Sequence, residues 1–285
     1  MNRQLESWLV VGHGSVGSFV AARLAAGGAS VSVFDPSPRI PITHGEHTDN
    51  LADLPSVNYV VSCVPPETAE AVPSLVSGSL APGAIFFDWN TVAPAAKQRI
   101  RDALQATTID VALLDSVDGS AEQPYLALSG RRVREGAKIL DAQGFKTAIA
   151  GEEVGDAAAL KYLRSIFMKG LEALVLEYAS LASGLNGGPI VRASLESNLG
   201  EQFVRFMDLL VTTNRVHAER RSRELADAVE TFTANGAKPA LVAAAVDVLR
   251  LAAGVWAQES APPVDAGPDA LAAHLRGALW CQAST

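Results

Sequence analysis

The stretch WLVVGHGSVGSFVAARLAAGGASVSVFD, residues 8–35, decides the fold. Its first four residues are an apolar run long enough for a buried parallel strand. Gly12-His13-Gly14-Ser15-Val16-Gly17 follows at once. A helical pattern then runs through Phe19, Val20, Leu24 and Ala25 to Gly27-Gly28, and residues 31–35 read as a second strand. A G-x-G-x-x-G match alone is weak; between a strand and a helix, with an acidic residue closing the next strand, it becomes specific. Gly12 permits the tight turn, Gly14 lets backbone approach a pyrophosphate, and Gly17 lets helix and strand pack closely. The helix N-terminus offers free N–H groups and partial positive charge to phosphates. Asp35 is placed to accept from a ribose diol. Its carboxylate repels a 2′-phosphate, which favours NAD; Arg39, close by, leaves NADP as the alternative.

Working outward, residues 58–64, 85–88, 109–115 and 125–129 read as further strands, with helices starting near Glu67, after Pro94 and over 131–142. Parallel strands joined by right-handed helical crossovers give an open, doubly wound α/β sheet, and ligands bind beyond the carboxyl ends of its strands. The turns after Val11, Val64, Asp88 and Asp115 therefore face one crevice. That groups the glycine turn with Val64-Pro65, Asn90-Thr91 and the loop Asp115-Ser116-Val117-Asp118-Gly119-Ser120.

Residues 155–184, GDAAALKYLRSIFMKGLEALVLEYASLASG, read as one long helix. Leu160, Leu163, Phe167, Leu171, Leu174, Tyr178 and Leu181 form an apolar stripe expected to be buried. Asp156 stands at the expected N-cap and Gly184 at the expected C′ position. Lys161, Arg164, Ser165, Met168 and Lys169 fall on a neighbouring face. Beyond this helix only helical patterns follow, near 191–211, 215–233, 239–253 and 270–280. The expected organisation is a Rossmann-type domain over 1–153 and an all-α domain over 154–285, joined by the helix 155–184. Several late helices carry apolar residues on more than one side, so a homodimer through the second domain is expected.

The chain has 285 residues, 48% hydrophobic and 19% charged, with a net charge of −8. That charge argues against a nucleic-acid partner. Two cysteines, Cys63 and Cys281, form no disulfide framework and no metal spacing. The start of the chain lacks the layout of a signal peptide, and the apolar stretch 241–256 is broken by Asp247 and Arg250, so a soluble cytoplasmic protein without a membrane partner is expected. His44 and His47 are expected in a loop with no third ligand near, so no metal site is assigned. His217, in a charge-rich helix, reads as a surface or interface residue.

These residues resemble the β-hydroxyacid dehydrogenases, the 3-hydroxyisobutyrate and 6-phosphogluconate dehydrogenase group. The resemblance is carried by Val11-Gly12-x-Gly14-x-x-Gly17, Cys63-Val64-Pro65, Asp88-x-Asn90-x-x-x-Pro94 and the spacing from Gly155 to Lys161. The run Lys161-x-x-Arg164-Ser165-x-x-x-Lys169-Gly170 and His217-Ala-x-Arg220-Arg221 are similar to a subgroup with a distinct C-terminal domain. The resemblance implies hydride transfer between a nicotinamide cofactor and a small polar β-hydroxy acid or related carbonyl compound. Lys161 matches the family's catalytic lysine, and Asn90 holds that lysine or the substrate oxygen. The loop from Asp115 to Ser120 matches the family's substrate-carboxylate loop, with Ser116, Val117, Asp118 and Gly119 as expected substrate contacts and Arg164, Ser165 and Lys169 as further ones. Two departures leave the substrate class open: Arg164 stands where the family carries asparagine, and Val117-Asp118-Gly119 replaces a Ser-Gly-Gly pattern. Imine reduction and cofactor sensing without turnover are the competing functions.

Overall fold

The computed structural model describes residues 6–115, 117 and 123–280. They form two compact units that divide between Lys161 and Tyr162.

The first unit is built on an eight-stranded sheet. In chain order its elements are β1 (Ser7–Val11), α1 (Ser15–Ala26), β2 (Ser30–Phe34), β3 (Glu46–His47), β4 (Val57–Ser62), α2 (Val72–Val76), β5 (Leu80–Asp88), α3 (Pro94–Asp102), β6 (Thr107–Leu113), β7 (Tyr125–Ser129), α4 (Val133–Ala142) and β8 (Lys146–Gly151). Strand order is β3-β2-β1-β4-β5-β6-β7-β8. The strands alternate sides. Trp8 and Val10 pack with Val20, Leu24, Phe87 and Leu140 on one face. Leu9 and Val11 pack with Val60, Phe86 and Ile100 on the other. Burial on both faces is why these strands are nearly continuous apolar runs.

Four features of this unit depart from the sequence reading. The sheet is not wholly parallel: β7 runs antiparallel to β6, with Asp110 opposite Ser129 and Leu113 opposite Leu126. β8 was not expected as a strand; it pairs in parallel with β7. Residues 46–47, read as loop, pair with β2 as a short edge strand. The segment from Glu67 begins as a 3₁₀ turn over Pro66–Ala71 before α2.

The second unit is helical. It holds most of α5 (Asp156–Ala182), then α6 (Gly188–Leu199), α7 (Glu201–Ala234), α8 (Ala240–Trp256) and α9 (Pro268–Trp280). Its core joins Ala173 and Leu176 of α5 to Met207, Leu210 and Leu225 of α7, Leu249 of α8 and Leu271 of α9. The chain breaks at Gly200 and not between 211 and 215. α7 continues through Thr212-Thr213-Asn214, where both threonine hydroxyls donate to carbonyls one turn back, at 3.0 and 2.7 Å, so these side chains leave the backbone ladder intact.

The long helix differs most from expectation. Leu163, Phe167, Leu174 and Leu181 of the apolar stripe are exposed, Phe167 at 69% and Leu174 at 61%. The buried face is instead the one with Tyr162, Lys169, Glu172, Ala173 and Leu176. It turns inward because α7 satisfies its polar groups: Glu224 lies 3.0 Å from Lys169, and Arg221 and Asn214 each meet Glu172 at 2.7 Å. Asp156 is the first residue inside the helix and not its cap. Gly184 follows the helix in a turn without the positive φ of a C′ glycine.

Candidate functional site

The carboxyl edge of the sheet brings the sequence motifs together within the first unit. Gly12 turns at φ 91, and a Cβ there would stand 2.5 Å from the Cys63 carbonyl oxygen. A Cβ on Gly17 would stand 1.9 Å from the Gly12 carbonyl oxygen. These two glycines let the turn after β1, the start of α1 and the turn after β4 close on one another. Gly14 is different: a Cβ there would meet nothing within 4 Å. The space above it is open, and α1 begins at Ser15 with no side-chain cap. Uncapped N–H groups beside an open glycine are what a pyrophosphate needs, so the turn fits the phosphates of a dinucleotide. Ser15 is exposed and Val16 half-buried at the mouth of this cradle.

Asp35 stands just beyond β2. Its carboxylate accepts from the His13 N–H at 2.7 Å and from the Ser37 N–H at 2.8 Å. His13 is buried, and its Nδ1 lies 3.1 Å from the Ile40 carbonyl. The acidic residue therefore braces the glycine turn while lying at the end of the strand that faces a ribose in this fold.

The next turns are tied by Asn90. Its Oδ1 accepts from the Val64 N–H at 2.8 Å, and its Nδ2 donates to Ser62 Oγ at 2.9 Å and to Asp88 Oδ1 at 2.8 Å. Asn90 is thus committed to joining the ends of β4 and β5. Thr91, the next residue, accepts from Lys161 Nζ at 2.8 Å. Pro65 is exposed, with Val64, Thr91 and Lys161 half-buried. Contiguous contacts run from Gly12 through Cys63, Val64, Asn90 and Thr91 to Lys161. The Cys63 thiol is pushed up to about 12, first by burial and then by the Asp88 and Asp35 carboxylates, so it is no nucleophile at neutral pH.

Beneath this edge is a group the sequence reading did not single out. Lys97 of α3 lies 3.0 Å from Asp88 Oδ1 and 3.1 Å from Asp110 Oδ1, and donates to the Asp88 carbonyl at 2.7 Å. All three side chains are at most 1% exposed. Burial pushes Lys97 down, but the two carboxylates outweigh it and hold the ammonium above its usual range. Burial raises the Asp88 carboxyl. The available signal was an aspartate inside each of two apolar strands, since a buried charge requires a partner.

In the second unit, Lys169 lies 3.0 Å from Glu224 and donates to Ser165 Oγ at 2.9 Å. Burial lowers the Lys169 ammonium despite Glu224. Burial also works against the Glu224 carboxylate, but Lys169 and Arg220 prevail and hold it below the usual range. With two cations facing Glu224, the pair is net attractive. Arg164 is exposed on α5. His217 is half-buried, and burial, Arg221 and Arg220 together keep its imidazole low. Of the expected substrate loop, Val117 is half-buried, while Ser116, Asp118 and Gly119 lie outside the described residues. Among the described residues no group of three His, Cys, Asp or Glu is placed to hold a metal, and no helix is long and apolar enough to cross a membrane.

Comparison with known proteins agrees with this geometry. Residues 188–252 match the domain of unknown function DUF1932. An uncharacterized 28.5 kDa protein from the 7S RNA 5′ region of Methanothermus fervidus is 27% identical over 159 residues. That match takes in 55% of this chain and 62% of that relative's length. A conserved hypothetical protein from Sinorhizobium meliloti 1021 superposes with a TM-score of 0.75 at 24% identity, over 95% of this chain and 97% of that one. MTH1747, a conserved protein of unknown function similar in structure to 3-hydroxyacid dehydrogenases, gives 0.71 at 25% identity, over 86% and 95%. A 3-hydroxyisobutyrate dehydrogenase from Mycobacterium tuberculosis gives 0.73 at 17% identity, over 96% and 100%. Imine reductases share the fold less closely; one from Myxococcus stipitatus in complex with NAD+ gives 0.56 at 18% identity, over 96% and 99%. The chain has the fold of the 3-hydroxyacid dehydrogenases, and residues 188–252 of its helical unit match DUF1932.

Proposed function

We propose that this protein is an NAD(P)-dependent oxidoreductase that interconverts a small polar β-hydroxy acid, or a related alcohol, with its carbonyl compound. The observation that carries this reading is the Lys161–Thr91 contact, one residue past Asn90 on the edge that holds the glycine turn. Bound nicotinamide supplies the hydride acceptor or donor. Gly12, His13, Gly14, Ser15, Val16 and Gly17 seat the pyrophosphate, with Val64, Pro65, Asn90 and Thr91 along the remainder of the cofactor. Asp35 takes the ribose and favours NAD over NADP.

Lys161 is the acid–base group. In oxidation its neutral amine takes the hydroxyl proton as the C–H bond gives up hydride; in reduction its ammonium returns that proton to oxygen. Thr91 holds the nitrogen in place, and Asn90 fixes Thr91 through the backbone. Ser116, Val117, Asp118 and Gly119 contact the substrate, and Arg164 and Ser165, on the helical turn after Lys161, supply an anion clamp and a hydroxyl. Lys169 acts through Ser165, whose oxygen it holds. The enzyme works in the cytoplasm as a homodimer; the exposed apolar stripe of α5 supports the assembly.

Imine reduction is the second reading, supported by the shared fold of the imine reductases. Thermal shift with NADH and NADPH tests cofactor binding. A panel of β-hydroxy acids, aldehydes and cyclic imines, followed at the nicotinamide absorbance, separates the two activities. Absence of both cofactor stabilisation and turnover would remove the enzyme reading.

A further inference from the structure

We infer that Asp110, held by Lys97 and assisted by Ser129, is the positioning residue for Lys161. The inference rests on Lys161 being the working amine, but its geometry stands independently. Asp110 Oδ2 accepts from the Gly155 N–H at 3.2 Å and from the Ala158 N–H at 2.9 Å. Ser129 Oγ accepts from the Ala157 N–H at 3.0 Å while donating to Asp110 Oδ2 at 3.4 Å. The first turn of α5 is therefore capped from outside its own segment, by side chains on the paired strands β6 and β7. A carboxylate there also meets the positive end of the helix. Lys161 follows Ala158 by three residues, close to one turn, so the orientation of the cap sets the direction in which the amine leaves the helix.

The other end of the Lys161–Thr91 contact refers to the same charge. Thr91 follows Asn90, Asn90 is bound to Asp88 at 2.8 Å, and Asp88 shares Lys97 with Asp110. The Lys97 ammonium has three protons, and three oxygens face it: the Asp88 carbonyl, Asp88 Oδ1 and Asp110 Oδ1. One cation thus locks the turn that presents Thr91 and the helix that presents Lys161 into a single frame. Burying two carboxylates and an ammonium is a poor route to stability, because well-packed apolar groups commonly do as well. Fixing direction is what apolar packing would not provide here, since only directed acceptors can hold the Gly155, Ala157 and Ala158 N–H groups.

The test observes Lys161 itself and requires no substrate. The chain has six lysines, so ¹³C-lysine labelling gives a spectrum in which the Lys161 signal is assigned by its loss in Lys161→Arg. Its titration is followed in Asp110→Asn, Lys97→Met and the neutral variant Ser129→Ala. Simple through-space electrostatics would move the midpoint in opposite directions when a carboxylate and an ammonium are removed. Loss of positioning moves it in the same direction in both variants, by about half a pH unit or more. Ser129→Ala, which carries no charge change, is expected to move it in that same direction by less. Opposite shifts, or an unmoved Lys161 signal in folded variants, would overturn the inference. If Asp110→Asn and Lys97→Met do not fold, Ser129→Ala decides: a shift supports positioning and none removes it. Loss of turnover in Lys161→Ala belongs to the functional reading, so the two can fail separately.

Discussion

Lys161 Nζ donates to Thr91 Oγ1 at 2.8 Å, a contact between residues 70 apart in the chain. It brings the start of the long helix to the turn after β5. Lys161→Ala should leave cofactor affinity nearly unchanged, because the proposed cofactor seat is the glycine turn and Asp35. Turnover should fall by roughly two to four orders of magnitude, the usual contribution of a placed acid–base group. Lys161→Arg should restore little, because a guanidinium stays protonated at neutral pH. Steady-state kinetics and fluorescence titration of the cofactor check both halves; wild-type turnover in Lys161→Ala would disprove the assignment.

The glycines of the turn should separate cleanly. Gly14→Ala adds a methyl where nothing stands within 4 Å, so the melting temperature should change little while cofactor affinity falls tenfold or more. Gly17→Ala drives a methyl into the Gly12 carbonyl, and should destabilise by about 1–3 kcal/mol or more before any cofactor is added. Calorimetry with and without NADH distinguishes the two. Equal losses of stability would show that Gly14 is only part of the packing.

Asp35→Ala should relax preference toward NADP(H), since it removes a ribose acceptor and a repulsive charge together. It should also weaken both cofactors, because the carboxylate braces His13 and Ser37. Affinities for NADH and NADPH in each protein provide the check. A wild type that already prefers NADPH tenfold, about 1.4 kcal/mol, would contradict the role given to Asp35.

Glu224 predicts an acid limb of stability. Its folded-state carboxyl lies below the ordinary value of 4.5 because Lys169 and Arg220 outweigh its burial. A depressed carboxyl contributes stability that is full above the unfolded value and lost as pH falls through the folded one. Urea titrations between pH 7 and pH 3 should therefore show a shallower decline in Glu224→Gln than in the wild type. At pH 7 that variant should be less stable by about 1–3 kcal/mol, because Lys169 is left buried with its charge. Parallel declines would assign the acid sensitivity elsewhere.

Assembly is checked by light scattering. The stripe of Leu163, Phe167, Leu174 and Leu181 faces outward, so the protein should be a dimer at micromolar concentration. Phe167→Glu with Leu174→Glu should yield a folded monomer. A wild-type monomer would leave the stripe to some other partner.

The sheet was legible because its strands are buried on both faces and its turns carry glycine, proline or asparagine at their carboxyl ends. β8 escaped because its sequence, Lys-Thr-Ala-Ile-Ala-Gly, is only half-buried and weakly apolar. The reversal at β7 escaped because strand direction depends on the connection through residues 116–124, which has no helical pattern to mark a crossover. The glycine turn follows from motif and topology. The partner of Lys161 does not: Asn90, expected to hold the lysine, commits its amide to Val64, Ser62 and Asp88, and the neighbouring Thr91 takes the contact. The Lys97 group did not stand out because a lysine in Ala-Ala-Lys-Gln-Arg reads as a solvated helix face until Asp88 and Asp110 are seen beneath it. Of the apolar stripe on α5, Leu171 and Tyr178 pack on the helical core, while Leu160, Leu163, Phe167, Leu174 and Leu181 face outward. Periodicity marks a face, but which face turns inward was decided by Asn214, Arg221 and Glu224 on a helix 40 residues away.

The external cap on α5 also fixes where the chain can be cut. A fragment ending after β8 would lose the Gly155, Ala157 and Ala158 N–H groups and leave Asp110 and Ser129 buried with acceptors unmet. The sheet and the first turn of the helix are therefore one cooperative unit. A separately expressed first unit must extend to Lys161, past the apparent end of its last strand, or it will be an open, acid-cored remnant.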